Sequence, residues 1–291
     1  MLNIRERLIY LHSCQGVYWR TLHRFLEYDP TLKEIENLQE STLIHHFHMN
    51  PTQARTFLSS FHSGNPHQLM STYSRHDIQI LTIFDDDYPP LLKQIYDTPW
   101  VLYMKGNRTI IANSKLFSVV GTRKPTSNGV ESLKKVLPSL IENGYSIVSG
   151  LAYGIDTTAH YLTHQLGGKT VAVLGSGFFH IYPKKHLSFA ETLAKEHILL
   201  SEYPPYTQPR RWHFPARNRI ISGLSRGLLV VEAKKRSGSL ITADQALEQG
   251  REVFAVPGSI LEPNAEGTNH LIQQGAKLVH HSEDILSELP E

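Results

Sequence analysis

Small and polar residues recur in four short segments of this chain: Gly121-Thr122-Arg123-Lys124-Pro125-Thr126-Ser127, Ser149-Gly150-Leu151-Ala152, Gly175-Ser176-Gly177 and Ser201-Glu202-Tyr203-Pro204. Their shared chemistry is anion binding. Glycine lets a phosphate approach backbone N–H groups, and the N-terminus of a following helix adds a favourable field. Arg123 adds a planar fork that matches phosphate oxygens. Neither Gly121-Thr-Arg nor Gly175-Ser-Gly-Phe-Phe-His completes G-x-G-x-x-G, which counts against a nicotinamide or flavin, and no cofactor is expected. Some of these glycines read equally well as ordinary turn residues.

Two further clusters are basic. Tyr182-Pro183-Lys184-Lys185-His186 places lysines beside an aromatic ring, and Phe178 and Phe179 lie just upstream. Cations for the backbone with faces for the bases are the pairing that single-strand binders use; alternatively, the phenylalanines cap the core. Phe214-Pro215-Ala216-Arg217-Asn218-Arg219 leads into a helix and puts Arg217 and Arg219 in its first turn. Helix first turns favour acids, so two arginines there call for an anion: an external phosphate, or a carboxylate such as Glu202 or Glu232. Ser237 and Ser239, in Ser237-Gly238-Ser239-Leu240-Ile241-Thr242-Ala243, serve as a helix cap or a phosphate ligand, and capping is the simpler reading.

Signals for catalysis are weak. There is no G-x-S-x-G, and Asp156 and Glu232, the acids nearest the expected site, do not form the arrangement hydrolysis needs. His45-His46-Phe47-His48 lacks spaced acid or thiol partners and reads as solvated. No catalytic residue and no metal site are assigned.

The elements that must position these segments follow from periodicity. Residues 1–65 carry helical spacing (Ile4, Leu8, Ile9, Leu11; Trp19, Leu22, Phe25, Leu26; Ala54, Phe57, Leu58, Phe61), and Ser63-Gly64-Asn65-Pro66 opens an expected linker over 66–77. From Ile78 strand patterns begin, at Ile78–Phe84 and Trp100–Met104. Strands follow at Phe117–Gly121, Tyr145–Ser149, Thr170–Leu174, Ile198–Ser201, Gly227–Val231 and Glu252–Val256. Helical stretches separate them at Asn128–Glu142, Ile155–Leu166, Lys185–Lys195, Ala216–Leu224 and Leu240–Gln249. Apolar strands alternating with helices specify a mostly parallel sheet covered on both faces, doubly wound and Rossmann-like, over 78–291. Ligands of such sheets bind outside the carboxyl ends of the strands, where the four segments fall.

Composition bounds the function. With 291 residues, 40% hydrophobic and 19% charged, the chain suits a folded globular protein of one large and one small domain. No apolar run approaches the ~20 residues of a membrane span, so no membrane insertion is expected. The N-terminus lacks a signal-peptide pattern, and a lone cysteine, Cys14, cannot form an internal disulfide; a cytoplasmic location is expected. Net charge is +2, yet residues 184–236 hold eleven Lys/Arg against four Asp/Glu. Basic character is concentrated where a surface would face phosphates, although a solvated charged face gives the same count.

Seven segments together resemble the DNA-processing protein A family (DprA, also called Smf). They are Gly121-Thr-Arg-Lys-Pro-Thr, Ser149-Gly-Leu-Ala-Tyr-Gly-Ile-Asp, Tyr182-Pro-Lys-Lys-His, Phe214-Pro-Ala-Arg-Asn-Arg-Ile-Ile-Ser-Gly-Leu-Ser, Val231-Glu-Ala, Ser237-Gly-Ser-Leu-Ile-Thr-Ala and Phe254-Ala-Val-Pro-Gly, in order across about 78–280. The resemblance implies an extended Rossmann-like domain that binds single-stranded DNA, and duplex more weakly. It also implies a homodimer that loads RecA recombinase onto incoming strands in natural transformation, with a single-stranded DNA-binding protein as a further partner. It assigns DNA contact to Arg123 and to Lys184, with Lys185 as a close alternative, and lines the same site with Arg217, Asn218 and Arg219. Gly121, Thr122, Thr126, Ser127, Gly150, Gly175 and Ser237 complete the expected DNA surface. Leu247, Ile272 and Leu278 are candidates for the dimer and RecA surface. The N-terminal module is similar to a sterile-alpha-motif-like domain, and no C-terminal winged helix is expected. Two other readings compete: a phosphoribohydrolase-like nucleotide enzyme, whose P-G-G-x-G-T-x-x-E segment is not matched by Ser237-Gly-Ser-Leu-Ile-Thr-Ala-Asp, and a scaffold whose DNA binding is incidental.

Overall fold

The computed structural model describes residues 2–112 and 115–289. It forms two compact units, Met1–Tyr88 with Asp97–Tyr103, and Pro89–Tyr96 with Met104–Glu291. Glu291, the expected end of the second domain, lies outside the described residues.

The first unit holds α1 (Ile4–Ser13), α2 (Trp19–Tyr28), α3 (Glu40–His45), α4 (Pro51–Ser63) and α5 (Pro66–Arg75), followed by strand β1 (Gln79–Thr82). Its caps are local and strong. Asn3 and Glu6 form a reciprocal capping box on α1. Asn50 and Asn65 accept from the N–H groups of Gln53 and Gln68, each followed by proline at the first helical position. That corrects the expected linker at 66–77. Gly64 closes α4 and Asn65-Pro66 opens α5, so a turn-like cluster is the junction of two helices. Nor is the unit wholly helical, since β1 and Val101–Tyr103 of β2 (Val101–Gly106) belong to it. Leu8, Ile9, Leu22, Phe25 and Phe57 are buried in its core.

The second unit contains α6 (Pro90–Lys93), α7 (Thr109–Ala112), and strands β3 (Leu116–Val120), β4 (Ser146–Ser149), β5 (Thr170–Leu174), β6 (Ile198–Ser201), β7 (Gly227–Val230), β8 (Glu252–Ala255) and β9 (Lys277–Leu278). These strands are parallel neighbours in the order β6-β5-β4-β3-β7-β8-β9. The chain winds outward from β3 to β6 and then returns to β7, so the switch point lies between β3 and β7. The connecting helices are α8 (Ser127–Glu142), α9 (Ile155–Gln165), α10 (Leu187–Glu196), α11 (His213–Leu224), α12 (Gly238–Glu248), α13 (Glu266–Gln273) and α14 (Glu283–Leu286).

Both faces of this sheet are covered, as its continuous apolar strands require. Phe117 and Val119 pack with Leu133, Leu137 and Leu140 of α8 and Ile155 of α9. Ser118, between them, points to the other face, where its hydroxyl donates 2.7 Å to the Ile221 carbonyl of α11. The fold is Rossmann-like. The expected helix at Ala216–Leu224 begins earlier, at His213, because Pro215 sits in the first turn, where its missing N–H costs nothing. The helix expected at Lys185–Lys195 starts at Leu187, after a 3₁₀ turn over Lys184–His186. The two-residue edge strand β9 and the short helices α6, α7 and α14 carry too few residues to show a period. Among the described residues no helix is long and apolar enough to cross a membrane.

Candidate nucleic-acid interface

The segment after β3 is pinned by the one after β4. The Ile155 N–H, at the start of α9, donates 3.1 Å to the Thr122 carbonyl. Gly154 has φ +80°, and a Cβ there would lie 2.3 Å from the Thr122 oxygen and 2.6 Å from the Arg123 carbonyl carbon. Two independent reasons thus reserve this position for glycine: the sign of φ and the close approach of a second backbone. Leu151, in the same turn, is held at φ +54° although it is not glycine. The tie continues to the next strand. Nδ1 of His186 lies 3.0 Å from the Leu151 carbonyl, which can only accept, so Nδ1 carries the proton. The His186 ring also meets Tyr153 edge-on at 4.9 Å. A continuous chain of contacts therefore links Arg123 to the Lys184–His186 turn. Replacing Gly154 with alanine is expected to cost about 1–3 kcal/mol, read as a lower urea midpoint.

Aromatic side chains interleave with cations along this edge. Tyr182 packs on Phe214 at 5.5 Å, and Phe179 on Tyr206 at 4.7 Å. The Arg210 guanidinium lies 5.3 Å from the Trp212 ring centroid. Trp212 is 63% exposed and Tyr206 60%, with Tyr153 and Tyr182 also exposed. Arg123, Lys124, Lys184, Lys185, Arg210 and Arg211 are exposed as well. All follow the carboxyl ends of β3, β4, β5 and β6, four consecutive neighbours in the sheet. Residues 208–212, Gln-Pro-Arg-Arg-Trp, are a signal the sequence reading passed over, though they lie inside the basic stretch.

The sequence profile described as DNA recombination-mediator protein A matches residues 79–290. The chain belongs to that family. It is 50% identical over 224 residues to the DNA processing protein DprA of Bacillus subtilis, covering 77% of this chain and 75% of that protein. The X-ray structure of DNA processing protein A from Streptococcus pneumoniae superposes with a TM-score of 0.86 at 40% identity, covering 100% of both chains. DNA processing protein A of Helicobacter pylori, whose structure concerns its single-stranded DNA binding mode, matches with a TM-score of 0.65 at 26% identity over 73% of this chain and 98% of that one. These relatives are named as DNA-processing proteins rather than as enzymes.

In this member of the DNA recombination-mediator protein A family, several expected ligands are committed inside the protein. Arg217 is buried, and its Nη1 donates to the carbonyls of Gly150 (2.7 Å) and Val173. Burial pushes its pKa down to about 10, opposed by the nearby Asp156 carboxylate. Asp156 is itself pushed up by burial, with Arg217 pulling the other way. Arg219 is buried in a two-bond pair with Glu202, Nη2 to Oε1 at 2.7 Å and Nη1 to Oε2 at 3.0 Å. Both arginines lie in the second turn of α11 rather than the first. The carboxylate answer to their charge holds for Arg219 through Glu202, and for Arg217 the carbonyls and Asp156 supply it. Asn218 stays partly exposed, bonding to Arg217 Nε (3.3 Å) and the Gly238 carbonyl (3.4 Å).

The glycines are filled positions as well. A Cβ would lie 2.6 Å from Ile155 at Gly121, 2.5 Å from the Arg217 guanidinium at Gly150 and 2.8 Å from the Phe214 ring at Gly175. They permit close internal packing, where the sequence reading expected a phosphate to approach. At the switch point the first-helix anion site is occupied by Glu232, whose carboxylate accepts from the Thr126 N–H (3.0 Å) and hydroxyl. Thr126 in turn caps α8 by accepting from the Gly129 N–H, and Asn264 donates to the Lys124 carbonyl (3.1 Å). Ser127 and Thr122 remain at least partly exposed. Phe178 is core, while Phe179 is half-buried. Ser237 does not cap α12, and its hydroxyl has no hydrogen-bond partner. Leu247 on α12 and Leu278 on β9 are exposed, with Ile272 on α13 partly buried.

Proposed function

We propose that this chain binds single-stranded DNA along the carboxyl ends of β3 to β6 and delivers it to the RecA recombinase. The observation that carries the reading is the alternation of exposed rings (Tyr153, Tyr182, Tyr206, Trp212) with exposed cations (Arg123, Lys184, Lys185, Arg210) on one sheet edge. Cations neutralise phosphates regardless of sequence, and rings stack on whichever base is presented. Duplex hides the faces of its bases, so only the electrostatic part is left to it. The single-strand binding mode of the Helicobacter pylori relative and the recombination-mediator family support both halves of the proposal. The chain acts as a cytoplasmic homodimer, with Leu247, Ile272 and Leu278 on the surface offered to a second copy or to the recombinase. It performs no catalysis of its own. A nucleotide-processing reading would need the switch-point anion site, which Glu232 fills.

Binding to single-stranded and duplex DNA of equal length, measured by fluorescence anisotropy across a salt series, tests this. If four cations each meet a phosphate, log K for the single strand falls with log salt at a slope near about −3. The single strand should also stay tighter than duplex at every salt concentration. Equal affinities for the two forms, or a flat salt response, would sink the reading.

A further inference from the structure

At the opposite edge of the sheet, where β5 and β6 begin, a side chain of α9 meets two consecutive side chains from the junction of α10 and β6. His164 lies in the last turn of α9, Glu196 ends α10, and His197 is the C-cap residue just before β6. Nδ1 of His164 is 3.1 Å from Nε2 of His197 and 3.6 Å from a Glu196 carboxylate oxygen. One ligand atom from each of the three lies within 4.8 Å of the others. Ligands arranged tetrahedrally at zinc's ~2.0–2.1 Å bond lengths stand about 3.3–3.4 Å from one another. The two separations from His164, 3.1 and 3.6 Å, bracket that spacing.

We propose that His164, Glu196 and His197 bind one divalent transition-metal ion, zinc by their mixed nitrogen and oxygen donors. Two imidazoles and one carboxylate form a set that zinc accepts with a fourth position left to water. His197 is buried, and its Nε2 faces Nδ1 of His164. Two helices end here, and their C-terminal carbonyls favour a cation. Lys169 opposes with a positive charge, which Glu196 offsets. His164 and Glu196 are partly exposed, leaving an entry path. The ion would staple the end of α9 to the junction of α10 and β6. Those two helices begin at the other edge, beside Gly154 and the Lys184–His186 turn. The role is structural.

The full chain, stripped with chelator and dialysed, is titrated with zinc chloride by calorimetry and melted with and without zinc. The parent should take up one zinc at this site and gain about 5 °C in melting temperature at a zinc concentration ~100 times Kd. His164→Ala and Glu196→Gln alter partly exposed side chains and should leave the fold intact. Each should weaken zinc binding by about tenfold or more and abolish most of the melting shift. Cobalt(II) in place of zinc should give the strong visible absorption of a tetrahedral site in the parent and lose it in His164→Ala. A His45→Ala/His46→Ala/His48→Ala variant controls for adventitious uptake and should bind as the parent does. Undiminished zinc affinity in His164→Ala, or loss in the triple variant instead, overturns the proposal.

Discussion

An Arg123→Ala/Lys184→Glu double variant should bind single-stranded DNA at least about 25-fold more weakly than the parent near 0.1 M salt. The number follows from counterion release. Each phosphate contact on a single strand contributes roughly 0.7 to the slope of log K against log salt, so two contacts are worth about 1.4 logarithmic units at that concentration. Charge reversal at Lys184 adds repulsion to the lost attraction. The choice of residues follows from their surroundings. Lys184 is exposed in a 3₁₀ turn and tolerates reversal. Arg123 is exposed too, yet its charge helps hold the buried Asp156 ionised, so a second acid there would disturb the fold, and alanine is the safer replacement. The salt slope should shrink by about 1.4. Trp212→Ala offers the contrast. A stacked base is worth about 1–3 kcal/mol, so affinity should drop while the slope stays that of the parent. A double variant that keeps both affinity and slope would remove the rim from the mechanism.

The parallel sheet was legible because its strands are buried on both faces and so read as apolar runs, and because helices of ordinary length lie between them. The exposure of Arg123 and Lys184 was legible for a related reason: each lies in a polar turn after an apolar strand, where the chain leaves the sheet. The burial of Arg217 and Arg219 was not. Their partners, Gly150, Val173 and Glu202, come from three other loops or strands, and nothing local separates an arginine awaiting phosphate from one already satisfied. The glycines misled in the same way, since a close approach by a ligand and a close approach by Phe214 or Ile155 impose the same requirement. Asn65-Pro66 shows the converse case, in which a local signal was present but two meanings compete: the residues that break one helix also start the next. The aromatic half of the rim lies in an irregular loop between β6 and α11, where no period marks which rings face solvent.

Arg219→Ala should destabilise the protein by about 3–5 kcal/mol, although Arg219 is buried rather than exposed with the cations of the rim. The Arg219–Glu202 pair is largely withdrawn from water, with side chains only 7% and 12% exposed. Two parallel charge-assisted bonds satisfy both partners, and truncating the arginine leaves a buried carboxylate with no counter-charge. The Glu202 side chain keeps some access to water, which sets the lower end of the range. Removing both charges should cost less than removing one, so Glu202→Ala/Arg219→Ala should recover part of the loss in urea unfolding followed by circular dichroism. Because α11 begins beside Trp212, the rim should survive wherever the variant remains folded, and binding at low temperature should fall less than about tenfold, as for a position outside the interface. The opposite pattern, normal stability with DNA binding lost, would mean that Arg219 leaves Glu202 to meet phosphate, and that the pair is a latch rather than a brace.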